Sequence, residues 1–259
     1  VEIFACYRVD MAENFPPIHA VSIKGAIMNW DQIVTKITPY IVKIETQSGH
    51  GTGFLFMYNE NKTWCGVATA MHVVTQADEW QQPIRIRHYA SDQFVFLKEN
   101  ERVIFKDWKT DSAVILFLKG DLPLPEQLIP LLPTDAVINI GVEVGWVGFP
   151  AVAPFDLCFF SGNTSARQEY RKAYLIDGVA INGVSGGPVL YSTGTEGVQI
   201  VGTVSAYQAN RATGEALPGL LVAQEVSHFH DVASHIRSID EANKKKIEFE
   251  DSQKDKENC

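Results

Sequence analysis

Three short stretches of this chain hold residue types that can share one reaction. Asn182-Gly183-Val184-Ser185-Gly186-Gly187-Pro188 sets a serine among glycines. A serine hydroxyl is a weak nucleophile until a base takes its proton. Glycines allow close approach of the backbone to a substrate, and the N–H groups of Gly183 and Ser185 can converge on a developing oxyanion. Taken alone, the stretch also fits a glycine-rich turn between strands. The second, Ala68-Thr69-Ala70-Met71-His72-Val73-Val74, ends an apolar, β-prone run in a histidine. The third, Thr110-Asp111-Ser112-Ala113-Val114-Ile115-Leu116-Phe117-Leu118, opens a run apolar enough to be a buried strand with an acid. A carboxylate at such an edge can hold an imidazole N–H, fix its tautomer and stabilise the imidazolium. Individually a lone histidine beside apolar residues is usually structural, and an aspartate before a strand is usually a turn residue. Together they supply a nucleophile, a base and an orienting group.

The elements that must position these groups are mostly strands. Short β-branched and aromatic runs recur at 40–46, 53–58, 64–70, 83–88, 93–98, 102–106 and 112–118, and again at 142–148, 157–161, 173–176, 187–191, 198–206 and 219–223. Glycine, proline and polar clusters separate them, which predicts antiparallel sheets or barrels rather than a parallel α/β fold. The prolines between Asp121 and Pro133 favour extended or turn backbone and mark 121–137 as a linker between two barrels. Residues 39–120 form the first unit and 138–224 the second. A leading helix is expected from Asn29 to about Thr38, preceded by an N-terminal extension, and a C-terminal helix over 225–240 carries Val226, Phe229, Val232 and Ile236 at helical spacing. The charged stretch 241–259 is expected to be a disordered tail.

TAMHVV, DSAVILFL and GVSGGPV resemble the three signature blocks of the trypsin-like serine proteases, and the chain is most similar to the bacterial HtrA-type branch. The resemblance runs from about Ile37 to about Ile239 and includes Gly51-Thr52-Gly53-Phe54 and the stretch from Phe159 to Arg167. It implies an all-β fold of two antiparallel six-stranded barrels with a C-terminal helix; HtrA-type enzymes usually add a PDZ module, and with about twenty residues past the last helix none is expected here. It also implies a serine endopeptidase that works through an acyl-enzyme, with Ser185 as nucleophile, His72 as base, Asp111 as its orienting acid, and Gly183 and Ser185 as oxyanion donors. Ser205 matches the family's serine that hydrogen-bonds the buried aspartate. The primary pocket is expected at Val179, Ala180, Ile181, Asn182, Ala206, Tyr207 and Gly219. No acid falls at its base, and Tyr207 stands where glycine is common, so small or aliphatic residues are expected before the scissile bond. The alternative is a catalytically weak protein of the same fold that acts as a regulatory binding module.

Val184 departs from the family pattern. Animal trypsins carry there an Asp that pairs with a newly cut N-terminal amine, and HtrA-type relatives carry Asn. Valine can do neither, so the site is expected to form without N-terminal cleavage, with regulated or low activity if the loop is loosened.

Composition bounds the rest. The 259 residues are 46% hydrophobic, enough for one large domain or two small ones. A formal net charge of −9 argues against nucleic acid or an anionic membrane as partner, which leaves protein or peptide substrates. No stretch reaches the ~18 apolar residues of a membrane span. Cys6, Cys65, Cys158 and Cys259 show neither metal-ligand spacing nor a close pair, and Val73 stands where secreted trypsins carry a bridged cysteine. A cytoplasmic location is therefore expected, with secreted or periplasmic ones open, and free thiols at Cys65 and Cys158 are favoured over a bridge between them. No cofactor is expected. The spacing of His228, Asp231 and His235 is compatible with a surface metal site, but no further ligand motif accompanies them, and solvated or capping roles are favoured. Oligomeric state stays open.

Overall fold

The runs of β-branched and aromatic residues fold as strands in the computed structural model, which describes residues 28–179, 181–194, 197–209 and 216–257. The N-terminal extension, with Cys6, and Cys259 lie outside the described residues. The first unit contains β1 (Ile41–Thr46), β2 (Gly49–Tyr58), β3 (Trp64–Ala70), β4 (Ile84–His88), β5 (Phe94–Leu97), β6 (Arg102–Asp107) and β7 (Ser112–Leu118). They form an antiparallel sheet in the order β5-β4-β1-β2-β3-β7-β6. The second unit contains β8 (Glu143–Gly148), β9 (Cys158–Gln168), β10 (Ala173–Asp177), β11 (Pro188–Ser192), β12 (Val198–Ala209) and β13 (Ala216–Glu225), closed as β10-β13-β12-β11-β8-β9.

One expectation is corrected here. The first unit is a seven-stranded sheet with two edges, not a closed six-stranded barrel. Arg102 opens β6, one edge of the sheet. Its side chain is buried, and its guanidinium donates to the carbonyls of Leu97, Ala77 and Gln82 at 2.8, 3.2 and 2.8 Å. Its planar fork of N–H donors ties the start of β6 to the end of β5, to α2 and to the loop that follows α2.

Helix α1 (Trp30–Ile37) buries Ile33 and Ile37, and Gln32 Oε1 accepts the Asn29 N–H at 3.1 Å to cap its start. Pro39 follows in a short 3₁₀ turn. Helix α2 (Met71–Glu79) follows β3 directly and was not expected from sequence. Helix α3 (Ser227–Glu257) docks on the first sheet through Phe229, which is fully buried with ring centroids 5.9 Å from Phe54 and 5.4 Å from Phe56, both on β2. The helix runs on to Glu257, so the stretch expected to be a disordered tail is helical. Its lysines and glutamates are good helix formers, and that propensity prevails where little apolar surface is available to bury.

One apolar cluster joins the two units: Phe54, Ala68 and Val114 of the sheet pack with Trp146, Val189 and Val204 of the barrel. A second, with Leu55, Val67, Ile115 and Phe117, lies within the sheet. The linker is pinned to the barrel by Leu132 N–H donating to Ile200 O at 2.8 Å and Ile200 N–H to Pro130 O at 2.9 Å. Cys65 and Cys158 are both free; burial pushes the Cys65 thiol up to about 12, which makes it unreactive. Among the described residues no helix is long and apolar enough to cross a membrane.

Candidate active site

The first turn of a helix leaves backbone N–H groups without partners, and α2 begins with two of them supplied by one residue. Met71 N–H donates to the Asp111 carbonyl at 2.8 Å, and His72 N–H to Asp111 Oδ1 at 3.0 Å. Asp111 Oδ2 then takes the imidazole at Nδ1, 2.8 Å away. A carboxylate can only accept, so this bond places the proton on Nδ1 and leaves Nε2 as the basic nitrogen. The β6–β7 turn presents Asp111 this way by holding it at φ 47°, a left-handed conformation in which Asp is one of the better-tolerated residues. Ser205 Oγ, from β12 of the barrel, donates to the same Oδ2 at 2.6 Å. Asp111 is thus gripped from both units.

The serine loop is built by backbone hydrogen bonds. Val184 N–H donates to Ile181 O at 3.1 Å and Gly187 N–H to Val184 O at 2.9 Å, which curls 181–187 into consecutive turns. Gly186 N–H bonds Val204 O at 2.7 Å, and Thr52 N–H bonds Ser185 O at 2.8 Å. Gly186 must be glycine: φ is +86°, and a Cβ would lie 2.0 Å from Thr52 O. Ala151 N–H donates to Asn182 O at 2.7 Å. A trans peptide aims its N–H opposite to its C=O, so this bond turns the Gly183 N–H away from Ala151. Neither the Gly183 nor the Ser185 N–H has an acceptor among the described residues, while the N–H groups of Val184, Gly186 and Gly187 all have one. Two free donors therefore flank the serine, as an oxyanion site needs.

Ser185 Oγ donates weakly to Ser205 O at 3.4 Å, and no hydrogen bond joins it to His72. Both side chains line one cavity of about 290 Å³ together with Ile181, Asn182, Val204, Ser205 and Ala206. Such bonds are often long or absent without a substrate and tighten when one binds. Of the residues expected in the pocket, Ile181, Asn182 and Ala206 line this cavity. Val179 stands outside it, half exposed, and Gly219 O accepts the Gly178 N–H at 2.9 Å beside it. Ala180 and the Tyr207 side chain lie outside the described residues. Val204 is a lining residue that sequence reasoning missed.

Val184 is fully buried in the shared cluster, against Gly148. An apolar side chain anchors the loop at the position where the resembled proteins use a polar one. His50, which had no evident role in sequence, sits behind the loop with Nε2 3.0 Å from Phe149 O. His88 is structural, bonded to Ser91 Oγ and Pro39 O at 2.8 Å each. His228 is partly buried beside Phe105 and Asp107, and the exposed His235 ring lies 6.0 Å from that of Phe105. Burial lowers the affinity of His228 for a proton. Among the described residues no three His, Cys, Asp or Glu are grouped as metal ligands.

A closed antiparallel barrel that carries a glycine-framed serine, beside a companion sheet that carries a histidine–aspartate pair, defines a chymotrypsin-like fold. Solved structures agree on the fold. The chain is similar to the Rv3671c protease in an inactive form, with 19% identity over 83% of this chain and 99% of that one and a TM-score of 0.57. A serine-to-alanine mutant of Rv3671c from M. tuberculosis, also in an inactive form, gives 17% identity over 80% and 90% with a TM-score of 0.55. A serine endoprotease from Yersinia pestis gives 18% identity over 82% and 67% with a TM-score of 0.58. No protein-family model and no curated protein matches the chain.

Proposed function

We propose that the chain is a serine endopeptidase of the trypsin-like class. Ser185 Oγ attacks the scissile carbonyl while His72 Nε2 takes its proton and later gives one to the leaving amine. The acyl-enzyme is then hydrolysed by water along the same path. Asp111 holds the imidazole in its reactive tautomer, and the Gly183 and Ser185 N–H groups receive the oxyanion. The observation that carries this reading is the pair of N–H groups, unpartnered among the described residues, beside a serine that shares a cavity with an aspartate-bound histidine. The likeness to the solved structures of the Rv3671c protease and the Yersinia pestis serine endoprotease supports it. Because Val184 is buried and apolar, the site forms without a released N-terminal amine.

The cavity walls at Ile181, Val204 and Ala206 are apolar, and among the described residues no Asp, Glu, Lys or Arg lines it. That supports small or aliphatic residues before the scissile bond. A second reading, a protein that binds polypeptides without cleaving them, draws on the missing Ser185–His72 hydrogen bond. A fluorophosphonate probe decides between them. Labelling that disappears in Ser185→Ala supports the peptidase; a folded wild-type protein that never labels supports the binding module. A cleavage profile over a peptide library tests the preference, and Arg or Glu dominating before the cut would refute it.

A further inference from the structure

Gly183 has no side chain to bias its torsions, so its φ of +93° must be imposed from outside. Each of its two peptide planes is clamped at the carbonyl. Ala151 N–H holds the Asn182 carbonyl at 2.7 Å, on the plane that carries the Gly183 N–H. Thr52 Oγ1 holds the Gly183 carbonyl at 2.9 Å, on the plane that follows. With both planes fixed, the torsions between them are fixed, and so is the direction of the Gly183 N–H.

Thr52 is suited to this by its own restraint. It is fully buried, and its hydroxyl accepts the Phe149 N–H at 3.1 Å while donating to Gly183, so the proton has one direction to take. Its backbone is anchored as well: its N–H donates to Ser185 O at 2.8 Å, and its carbonyl accepts the Thr69 hydroxyl at 2.7 Å. The hydroxyl makes the sole hydrogen bond from another residue's side chain to the 181–187 backbone among the described residues. The buried Val184 offers no polar group to share that work.

We infer that Thr52 is a positioning residue for the oxyanion site, its hydroxyl selecting the orientation in which the Gly183 N–H faces the cleft. Thr52 touches no substrate and acts through Gly183. The inference rests on the reading of the chain as a serine endopeptidase.

The test is Thr52→Val, which keeps the side-chain shape and deletes the hydroxyl, beside Thr52→Ser, which keeps the hydroxyl. Removing a whole oxyanion donor lowers kcat by about 10²–10³-fold, and a misaimed donor should lose about 10–100-fold. For Thr52→Val the expected result is that loss in kcat with KM within about threefold of wild type. Inhibition by a peptide boronate, which mimics the tetrahedral state, should weaken in the same proportion, and Thr52→Ser should stay within about threefold of wild type. Wild-type kcat and boronate affinity in Thr52→Val would overturn the inference, as would a Thr52→Ser variant equally impaired. Thr52→Ala serves as the second hydroxyl-free variant, and failure of both to fold would make Thr52 purely structural and also overturn it. If wild-type protein never labels with a fluorophosphonate, the peptidase reading fails first. The inference is then decided by crystal structures, where a Gly183 peptide unchanged in Thr52→Val removes it.

Discussion

Two glycines with nearly the same torsion separate backbone strain from loss of the oxyanion site. Gly183 has φ +93° and Gly141 has φ +85°. Alanine at either position must adopt a left-handed backbone, which costs roughly 1–2 kcal/mol. Their surroundings differ. A Cβ on Gly141 meets nothing within 4 Å, whereas one on Gly183 lies 2.3 Å from Phe149 O and 2.6 Å from His50 Nε2. Real contacts of that kind stay beyond 3.0 Å, so the loop must move by several tenths of an ångström. The movement is away from the Phe149–Ala151 segment, whose Ala151 N–H sets the Gly183 peptide. Gly141→Ala should therefore lose about 2–4 °C in Tm per kcal/mol of strain and keep wild-type kcat. Gly183→Ala should lose the same stability or more and about 10²–10³-fold in kcat. Thermal unfolding and steady-state hydrolysis of a chromogenic peptide ester measure both quantities on each variant. If Gly183→Ala kept kcat within about threefold, the Gly183 N–H would not be an oxyanion donor. If Gly141→Ala lost activity to the same extent, the effect would come from global strain rather than from crowding at the loop.

Other outcomes follow from the same geometry. Asp111→Asn should lower kcat on the order of 10⁴-fold with little change in fold, because an amide can accept from only one of its two atoms and favours the wrong imidazole tautomer; matched circular dichroism and kcat measurements check it. Phe229→Ala should cost about 3–5 kcal/mol in urea unfolding, since it empties the space between Phe54 and Phe56 where α3 docks. His228 gives a pH dependence of stability. Burial, partly opposed by the Phe105 backbone, Asp107 and Asp231, holds its folded pKa below the ordinary 6.5. Above 6.5 both states are neutral there and the contribution is complete. As the pH falls below 6.5 the unfolded chain takes up a proton that the folded one refuses, so stability declines until the folded pKa is passed. Urea titrations at pH 7.5 and 5.5 should show a smaller decline in His228→Gln, and an unchanged decline would count against this assignment.

The strands were legible because their residues announce them locally. Runs such as Ile41–Ile44, Val67–Ala70 and Ser112–Leu118 are β-branched and apolar, with glycine or polar punctuation between, and the observed bounds of the shorter strands lie close to the expected ones. Helix α2 escaped because its start carries no local signal. Met71-His72-Val73-Val74 reads as strand, and its cap is Asp111, supplied from another turn of the chain. The open first sheet was equally hidden, since strand order is a matter of long-range pairing that local runs of residues do not encode. At the site, the serine, histidine and aspartate could be read as letters with chemistry. Thr52 and Ala151 could not, because one acts from behind the loop and the other only through its backbone. Val184 was read as a missing polar group, and the structure adds what stands in its place: a packed side chain.

His72 and Asp111 belong to the sheet, and Ser185 and Gly183 to the barrel. Among the described residues the hydrogen bonds that cross between the two at this site are few: Ser205 to Asp111, Thr52 to Gly183 and Ser185, Phe149 to Thr52, and His50 to Phe149. Neither half holds the whole set of groups, so under the proposed reading turnover would report the docking of the two halves. If the peptidase reading holds, a chain severed within 121–137 should be silent as separate fragments and active only where the shared apolar cluster re-forms. The same division sets a route for inhibitors: a compound wedged along the seam could silence the serine while leaving the cleft empty.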